Sequence, residues 1–157
     1  MIDHGERARE LFLQGYNCAQ AVACAFCDVT GLTMEESARM ASSFGGGLGR
    51  LREVCGTISG AALVLGIVRG YDDPRDYEAK KAHYARVQDF ARRFREANGF
   101  IVCRELLKGV EVTPGMNPEA RTAEYYKKRP CPGLAYCAAK ILEEMLREEQ
   151  DDGDSAE

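Results

Sequence analysis

The sequence predicts an all-α protein, a compact bundle of five or six helices around one central helix rich in glycine and alanine. Three observations support this prediction. Apolar residues recur at helical spacing in several segments, whereas the alternation typical of strands is nearly absent. Capping residues, glycines and prolines separate these segments. The run 54–68 contains no charged residue and is rich in small side chains, which is typical of a buried helix.

Composition indicates one ordinary globular domain, which we expect over residues 1–149, followed by a disordered acidic tail over 150–157. The formal net charge of −4 gives no reason to expect a nucleic-acid partner. The run 54–68 is too short to span a bilayer, so we expect no stable membrane insertion. The first residues lack the pattern of a signal peptide, and we therefore expect a cytoplasmic protein.

In chain order, the first predicted helix covers 3–14, where apolar residues are spaced three and four apart. Asn17 is a suitable N-cap for a second helix over 18–28, and Gly31 ends that helix. Thr33 and Glu36 form a capping-box pattern that opens a third helix, running to about residue 43. These three helices make up the first third of the bundle.

A glycine-rich stretch begins at Phe44 and leads into the predicted central helix over 54–68. A long, charged amphipathic helix is expected over 76–97, and a short helix over 103–109 is closed by its final glycine. The segment 110–118 contains two prolines and a glycine and is predicted to be a loop.

The last part of the bundle begins with one or two helical turns, which we expect within 119–128. Pro132 then occupies the first turn of the last helix, which is predicted to run from Cys131 to about Glu149.

Seven cysteines are the unusual feature of the composition. In a reducing compartment, structural disulfides are rare, and such a set is more typical of metal binding or redox chemistry. The odd number also argues against complete pairing. The seven are Cys18, Cys24, Cys27, Cys55, Cys103, Cys131 and Cys137.

Four of these cysteines, Cys18, Cys55, Cys103 and Cys131, stand at predicted helix starts. If these helix starts converge, the positive ends of the helix dipoles favour a group of thiolates bound to a metal or an iron–sulfur cluster. Cys55, in the first turn of the central helix, is expected to tend towards thiolate and is the candidate catalytic nucleophile. The wide spacing differs from the close cysteine pairs of zinc ribbons.

The glycine-rich stretch is not a nucleotide-binding loop, because no strand precedes it and no Gly-Lys-Ser/Thr follows it. We expect Gly46 and Gly47 to let backbone N–H groups approach the bound group, and we place Gly56 beside it as well. Arg50 and Arg52 flank this stretch and are expected to be solvated, with anchoring of an anionic group as the alternative.

The remaining three cysteines are expected to pack in the core. Cys24 and Cys27 form a CxxC pair inside a predicted helix, where the βαβ setting of a thioredoxin motif is lacking. Asp28 follows the pair where covalent c-type haem attachment requires histidine, which excludes that cofactor. A resolving-thiol role for Cys137 or for the pair is the alternative.

The sequence resembles the C-GCAxxG-C-C family of redox-active proteins over most of its length. The segments that carry the resemblance are GYNCAQAV (15–22), FGGGLGRLREVCGTISGAALVLG (44–66), CRELLKG (103–109) and CPGLAYCAAKILEEML (131–146). The resemblance maps the four family cysteines onto Cys18, Cys55, Cys103 and Cys131. Thr57 stands where the family motif has alanine, and its hydroxyl is expected either to tune the Cys55 thiol or to cap the helix.

These observations favour a small redox protein in which Cys18, Cys55, Cys103 and Cys131 bind an iron–sulfur cluster for electron transfer or redox sensing, with another redox protein as partner. Three alternatives remain open: a metal-free thiol–disulfide oxidoreductase with Cys55 as nucleophile, a structural zinc module, and a helical interaction protein with inert cysteines. A homodimer is also compatible with the sequence, because a glycine-rich apolar helix can pack against its own copy.

Overall fold

A computed structural model describes residues 2–155, and this part of the chain is all-α, as predicted. It contains nine α-helices and no strand. The helices are α1 His4–Leu13, α2 Cys18–Ala25, α3 Cys27–Thr30, α4 Met34–Ala41, α5 Gly56–Arg69, α6 Tyr77–Asn98, α7 Cys103–Leu106, α8 Ala123–Lys128 and α9 Cys131–Ser155. Six of the nine have eight residues or more, in agreement with the five or six helices expected.

The predicted capping residues start the helices as expected. Asn17 and Gln20 form a reciprocal capping box at α2, and Thr33 and Glu36 form another at α4. The predicted helix over 18–28 is wrong in one respect: it is two helices that meet at Phe26, whose backbone leaves the helical region. Phe26 is fully buried, so core packing overrides the helical preference of this segment.

The central helix α5 begins at Gly56 rather than at Val54. Val54 instead forms an isolated antiparallel bridge with Val102. On either side of the bridge, the Cys55 N–H donates to the Ile101 carbonyl at 2.9 Å and the Cys103 N–H donates to the Glu53 carbonyl at 2.6 Å. This pairing holds the residues before α5 extended, which the apolar run 54–68 could not reveal.

The last helix α9 continues to Ser155, so the prediction of a disordered tail is wrong for residues 150–155. Residues 156 and 157 lie outside the described residues. The cause is a group of ion pairs near Glu149, which accepts from Arg69 of α5 at 2.7 Å and from Arg86 of α6 at 2.8 Å. A helix turn anchored in this way lets the next residues extend it cooperatively.

The core lies between α1, α2, α5, α6 and α9, where α1 packs along α9 and α2 packs along α5. The contact between α2 and α5 is close because α5 presents glycine there: a Cβ on Gly60 would lie 2.5 Å from the Ala19 carbonyl oxygen. The glycine face of α5 is thus covered within the same chain. Formation of a homodimer stays a prediction.

No helix among residues 2–155 is both long enough and apolar enough to cross a membrane.

Candidate functional site

The four helix-start cysteines line one cavity of about 70 Å³, which we call the thiol cavity. Cys18 is the first residue of α2 and Cys55 is the N-cap of α5. Cys103 and Cys131 are the first residues of α7 and α9. Four segments that are far apart in sequence therefore bring their thiols to one place, at the ends of helices where backbone N–H groups lack helical partners.

Hydrogen bonds between segments hold the helix starts of Cys18, Cys55 and Cys103 in place. The bridge between Val54 and Val102 joins the segment of Cys55 to that of Cys103. At Cys18, the Asn17 side chain accepts from the Gln20 N–H at 2.9 Å and donates to the Ser42 carbonyl at 3.2 Å. The second contact ties the start of α2 to the residues that precede the glycine loop, which we define as residues 44–53.

Glycines at the predicted positions allow close packing around the thiols. A Cβ on Gly56 would collide with the Cys18 sulfur and would lie 2.7 Å from the Phe44 carbonyl oxygen. A Cβ on Gly47 would lie 2.7 Å from the Cys103 Cβ. Gly46 and Gly56 line the thiol cavity, whereas Gly47 packs behind Cys103. All three predicted glycines thus lie at the site.

The glycine loop adopts left-handed backbone conformations at six positions. Three are Gly46, Gly47 and Gly49, which tolerate positive φ. The other three are not glycine: Leu48 (φ 71°), Arg50 (φ 67°) and Arg52 (φ 62°). Each such residue costs roughly 1–2 kcal/mol, so the loop holds a strained conformation that brings its backbone and arginines against the cysteines. Sequence analysis expected the loop but not this strain.

Burial corrects the expectation that Cys55 tends towards thiolate: Cys55 and Cys103 are buried, and Cys18 and Cys131 are half-buried. Burial, and then repulsion from a charged Cys18, raises the pKa of Cys55 to about 12. Burial and Cys18 likewise raise the pKa of Cys131 to about 11. Burial also raises the pKa of Cys18, against a backbone hydrogen bond from Gly46. In the absence of a bound cation, desolvation therefore outweighs the hydrogen bonds that favour the thiolates.

Thr57, where the sequence departs from the family motif, is fully buried beside Cys55. Its hydroxyl oxygen lies 3.1 Å from the Cys55 sulfur. This hydrogen bond lowers the pKa of Cys55 against the larger effect of burial. The expectation that the hydroxyl lies near the thiol is confirmed, and no cap of α5 by a side chain accompanies it among the described residues.

Three arginines supply positive charge to the wall of the thiol cavity: Arg52, Arg121 and Arg129. Arg52, expected to be solvated, instead places a guanidinium nitrogen 3.8 Å from the Cys103 sulfur. Arg121 and Arg129 were missed by sequence analysis, because they lie in segments without helical periodicity or motif. Only the contacts that the fold creates identify them.

The other three cysteines lie away from the thiol cavity. Cys24 is fully buried, and its sulfur lies 3.7 Å from the Met34 carbonyl oxygen. Cys27 lies beside the Met34 sulfur, and Cys137 accepts a hydrogen bond from the Asn98 amide at 3.5 Å. These surroundings agree with the expected packing role.

The thiol cavity offers four sulfur donors and several positive groups. Sulfur donors are the ligands that iron–sulfur clusters and zinc prefer. As the side chains stand, residues 2–155 contain no group of three or more histidine, cysteine, aspartate or glutamate residues that could hold a metal ion. The four thiols therefore line one cavity, and as they stand no three of them are grouped to hold a single metal ion.

A family model described as "Putative redox-active protein (C_GCAxxG_C_C)" matches residues 16–145. No curated protein and no solved structure gives a significant match to the chain. The matched range includes all four cysteines of the thiol cavity together with the glycine loop, and it covers most of the chain. This chain is a member of the C_GCAxxG_C_C family of redox-active proteins.

Proposed function

We propose that the thiol cavity binds an iron–sulfur cluster and that the protein transfers electrons or senses redox state. The observation that carries this proposal is the meeting of four helix-start cysteines at one buried, arginine-lined cavity. Cys18, Cys55, Cys103 and Cys131 would be the ligands. A bound cluster would supply reversible one-electron chemistry, which none of the side chains supplies by itself.

The electrostatics of the cavity support a bound group with positive metal centres. Burial first, and then repulsion between neighbouring thiolates, raises the pKa values of Cys55 and Cys131. Metal binding replaces the proton of each thiol, and the positive metal offsets the cost of placing negative thiolates close together in the site. Arg52, Arg121 and Arg129 would then offset the remaining negative charge, and the Gly46 N–H would donate to the Cys18 sulfur.

A cluster suits the arrangement of the thiols better than a single ion does. Structural zinc binds four thiolates around one atom, at about 2.3 Å from each sulfur. The ligands of a cluster bind more than one iron, so they do not need to meet at one point. The four thiols line one cavity, and no three of them among residues 2–155 are grouped to hold a single ion, which is closer to the second case.

The surroundings of Cys55 do not favour metal-free thiol–disulfide exchange. The thiolate is the attacking species in that reaction. Burial raises the pKa of Cys55 to about 12, so the thiolate is a minor species at neutral pH. Thiol–disulfide exchange is therefore the alternative function only if this protein is found to bind no metal.

Electron transfer also requires a redox partner protein, and we include one in the proposal. The seven cysteines are unpaired within the described residues. Unpaired cysteines suit the reducing cytoplasm, where we propose that the protein acts.

The test is the iron, zinc and acid-labile sulfide content of protein purified without air, measured together with its visible spectrum. Serine replaces each of the four proposed ligands in turn. Cys27→Ser and Cys137→Ser are the matched controls, because these two cysteines are half-buried and lie outside the thiol cavity.

The proposal predicts iron and sulfide in the wild type and in both controls, and a loss of both in each of the four variants. Zinc without sulfide would assign a structural role to the site. A wild type that contains neither metal and cannot be reconstituted with iron and sulfide would refute the cluster and leave thiol exchange as the function to test.

A further inference from the structure

A second cavity, of about 270 Å³, lies directly beside the thiol cavity, and we call it the arginine cavity. The exposed Met116 and Gly49 are among its lining residues, so it reaches the protein surface. The two cavities share part of their walls. The shared residues are Asn17, Gly46, Arg52, Arg121, Tyr125 and Arg129.

Positive charge is concentrated around the arginine cavity. Four arginines line it, Arg50, Arg52, Arg121 and Arg129, and Glu119 is the one carboxylate among its described lining residues. This concentration occurs in a chain whose formal net charge is −4. A concave site lined by one sign of charge attracts ligands of the opposite sign.

The contacts of these arginines leave their charge largely uncompensated. Glu119 faces both Arg129 and Arg50, at 3.8 Å from the latter. Arg121 donates to two neutral acceptors, the carbonyl oxygens of Phe12 and Tyr16, at 3.0 and 3.1 Å. One carboxylate therefore forms ion pairs with two of the four guanidinium groups and balances only part of their positive charge.

Arg50 and Arg52 have unused hydrogen-bonding capacity. The Nε of Arg50 is buried and has no hydrogen-bond partner within the described residues. A buried donor without a partner is energetically unfavourable. The described contact of the Arg52 guanidinium is the Cys103 sulfur at 3.8 Å. Both arginines adopt the strained positive φ of the glycine loop, which fixes them beside the cavity.

We infer that the arginine cavity binds a small oxyanion, of the size of phosphate or a short carboxylate, next to the thiol cavity. Arg52 lines both cavities and would contact the anion, while Arg50, whose terminal nitrogens donate to the carbonyl oxygens of Asn117 and Thr113, would add positive charge beside it. The inference deepens the proposed function and rests on it in one respect. If the thiol cavity is a redox site, small oxyanions are the class of substrate that reaches it.

The test is calorimetric titration of the full chain, purified without air, with inorganic phosphate and separately with acetate. Sodium chloride keeps the ionic strength constant, so that general charge screening does not imitate binding. We expect one saturable site per chain. The comparison of the two probes distinguishes a tetrahedral oxyanion from a carboxylate.

The principal variant is Arg52→Gly, which removes the charge and also relieves the positive φ, so that a folding defect is not expected. It should weaken binding about tenfold or more, because one charged hydrogen bond is lost. Arg52→Lys keeps the charge and should retain most of the affinity. Arg50→Gln should weaken binding without touching the thiol cavity, which Arg50 does not line. The control is Arg75→Gln, at a highly exposed arginine outside both cavities.

Two results would overturn the inference: no saturable binding of either anion to the wild type, or equal affinity in the wild type, Arg52→Gly and Arg50→Gln. The titrations are performed on iron-loaded and on metal-free protein. Loss of iron with retained anion binding refutes the cluster alone, and an intact cluster with no anion binding refutes the anion site alone.

Discussion

Two glycines of α5 provide a direct test of how closely α2 and α5 pack. Both lie inside the helix, but their surroundings differ. A Cβ on Gly60 would lie 2.5 Å from the Ala19 carbonyl oxygen, whereas a Cβ on Gly66 would meet nothing within 4 Å. The same change, glycine to alanine, therefore separates helix propensity from packing.

Gly66→Ala should stabilise the protein by about 1 kcal/mol, since alanine is the better helix former and the site is open. For a chain of this size, such a gain raises the melting temperature by roughly 2–4 °C. Gly60→Ala gains the same propensity but must push apart two packed helices. The obstacle is a backbone atom, which cannot swing aside, and overpacking of a core costs about 1–3 kcal/mol or more. We expect a net destabilisation of up to roughly 2 kcal/mol.

The assay is urea denaturation followed by circular dichroism at 222 nm, with both variants and the wild type prepared in the same metal state. The two variants should differ in stability by roughly 1–3 kcal/mol, the cost of overpacking alone, with Gly66→Ala the more stable. If Gly60→Ala were as stable as Gly66→Ala, α2 and α5 would be farther apart than described, and the closeness of Cys18 to Gly56 would be wrong as well.

Three further predictions concern the loop and the thiols. Leu48→Gly should raise stability by roughly 0.5–1 kcal/mol in the same urea assay. The free energy gained by relieving the positive φ at this half-exposed residue exceeds the entropic cost of the more flexible unfolded chain. A loss of stability would mean that the packing of Leu48 contributes more than the strain costs. Thr57→Ala should raise the pKa of Cys55 further, because it removes the 3.1 Å hydrogen bond that opposes the effect of burial. Labelling of Cys55 by iodoacetamide in metal-free protein, measured by mass spectrometry, should then slow by roughly tenfold. An unchanged rate would show that the hydroxyl does not donate to the sulfur. Metal-free protein should lose stability above pH 9, because burial raises the pKa of Cys55 from 9.0 in the unfolded chain to about 12 in the folded chain, and the unfolded chain therefore releases this proton first. The expected slope in that window is roughly 1.4 kcal/mol per pH unit for each such thiol. Urea midpoints that stay constant from pH 8 to 11 would contradict the burial of these thiols.

Local signals in the sequence predicted most of the helices and singled out the four cysteines that line the thiol cavity. Asn17, Thr33 and Pro132 are capping or first-turn residues whose effect is short in range, and each of them starts a helix where expected. The helix-start positions of Cys18 and Cys131 could be predicted from their neighbours Asn17 and Pro132. The helix-start position shared by the four cysteines could thus be predicted before their convergence was known.

The features that sequence analysis missed arise from contacts between distant segments. The split at Phe26 and the extension of α9 past Glu149 both result from tertiary contacts, one with the core and one with Arg69 and Arg86. Arg129 reaches the site because Glu119 holds it there. The ionisation of Cys55 follows the same rule, because burial is a property of the folded chain and the helix start alone favoured the opposite charge state.

The meeting of four remote segments at the thiol cavity also has a consequence for chain entropy. A group bound to all four cysteines would close three large loops of the unfolded chain, as a set of cross-links does. In the chain-entropy model, each closure of a loop of this size is worth on the order of 4 kcal/mol. The total stability of a domain is typically about 5–15 kcal/mol. Loss of the bound group in air would therefore leave a much less stable chain, so the oxidation state of the site and the lifetime of the fold would change together.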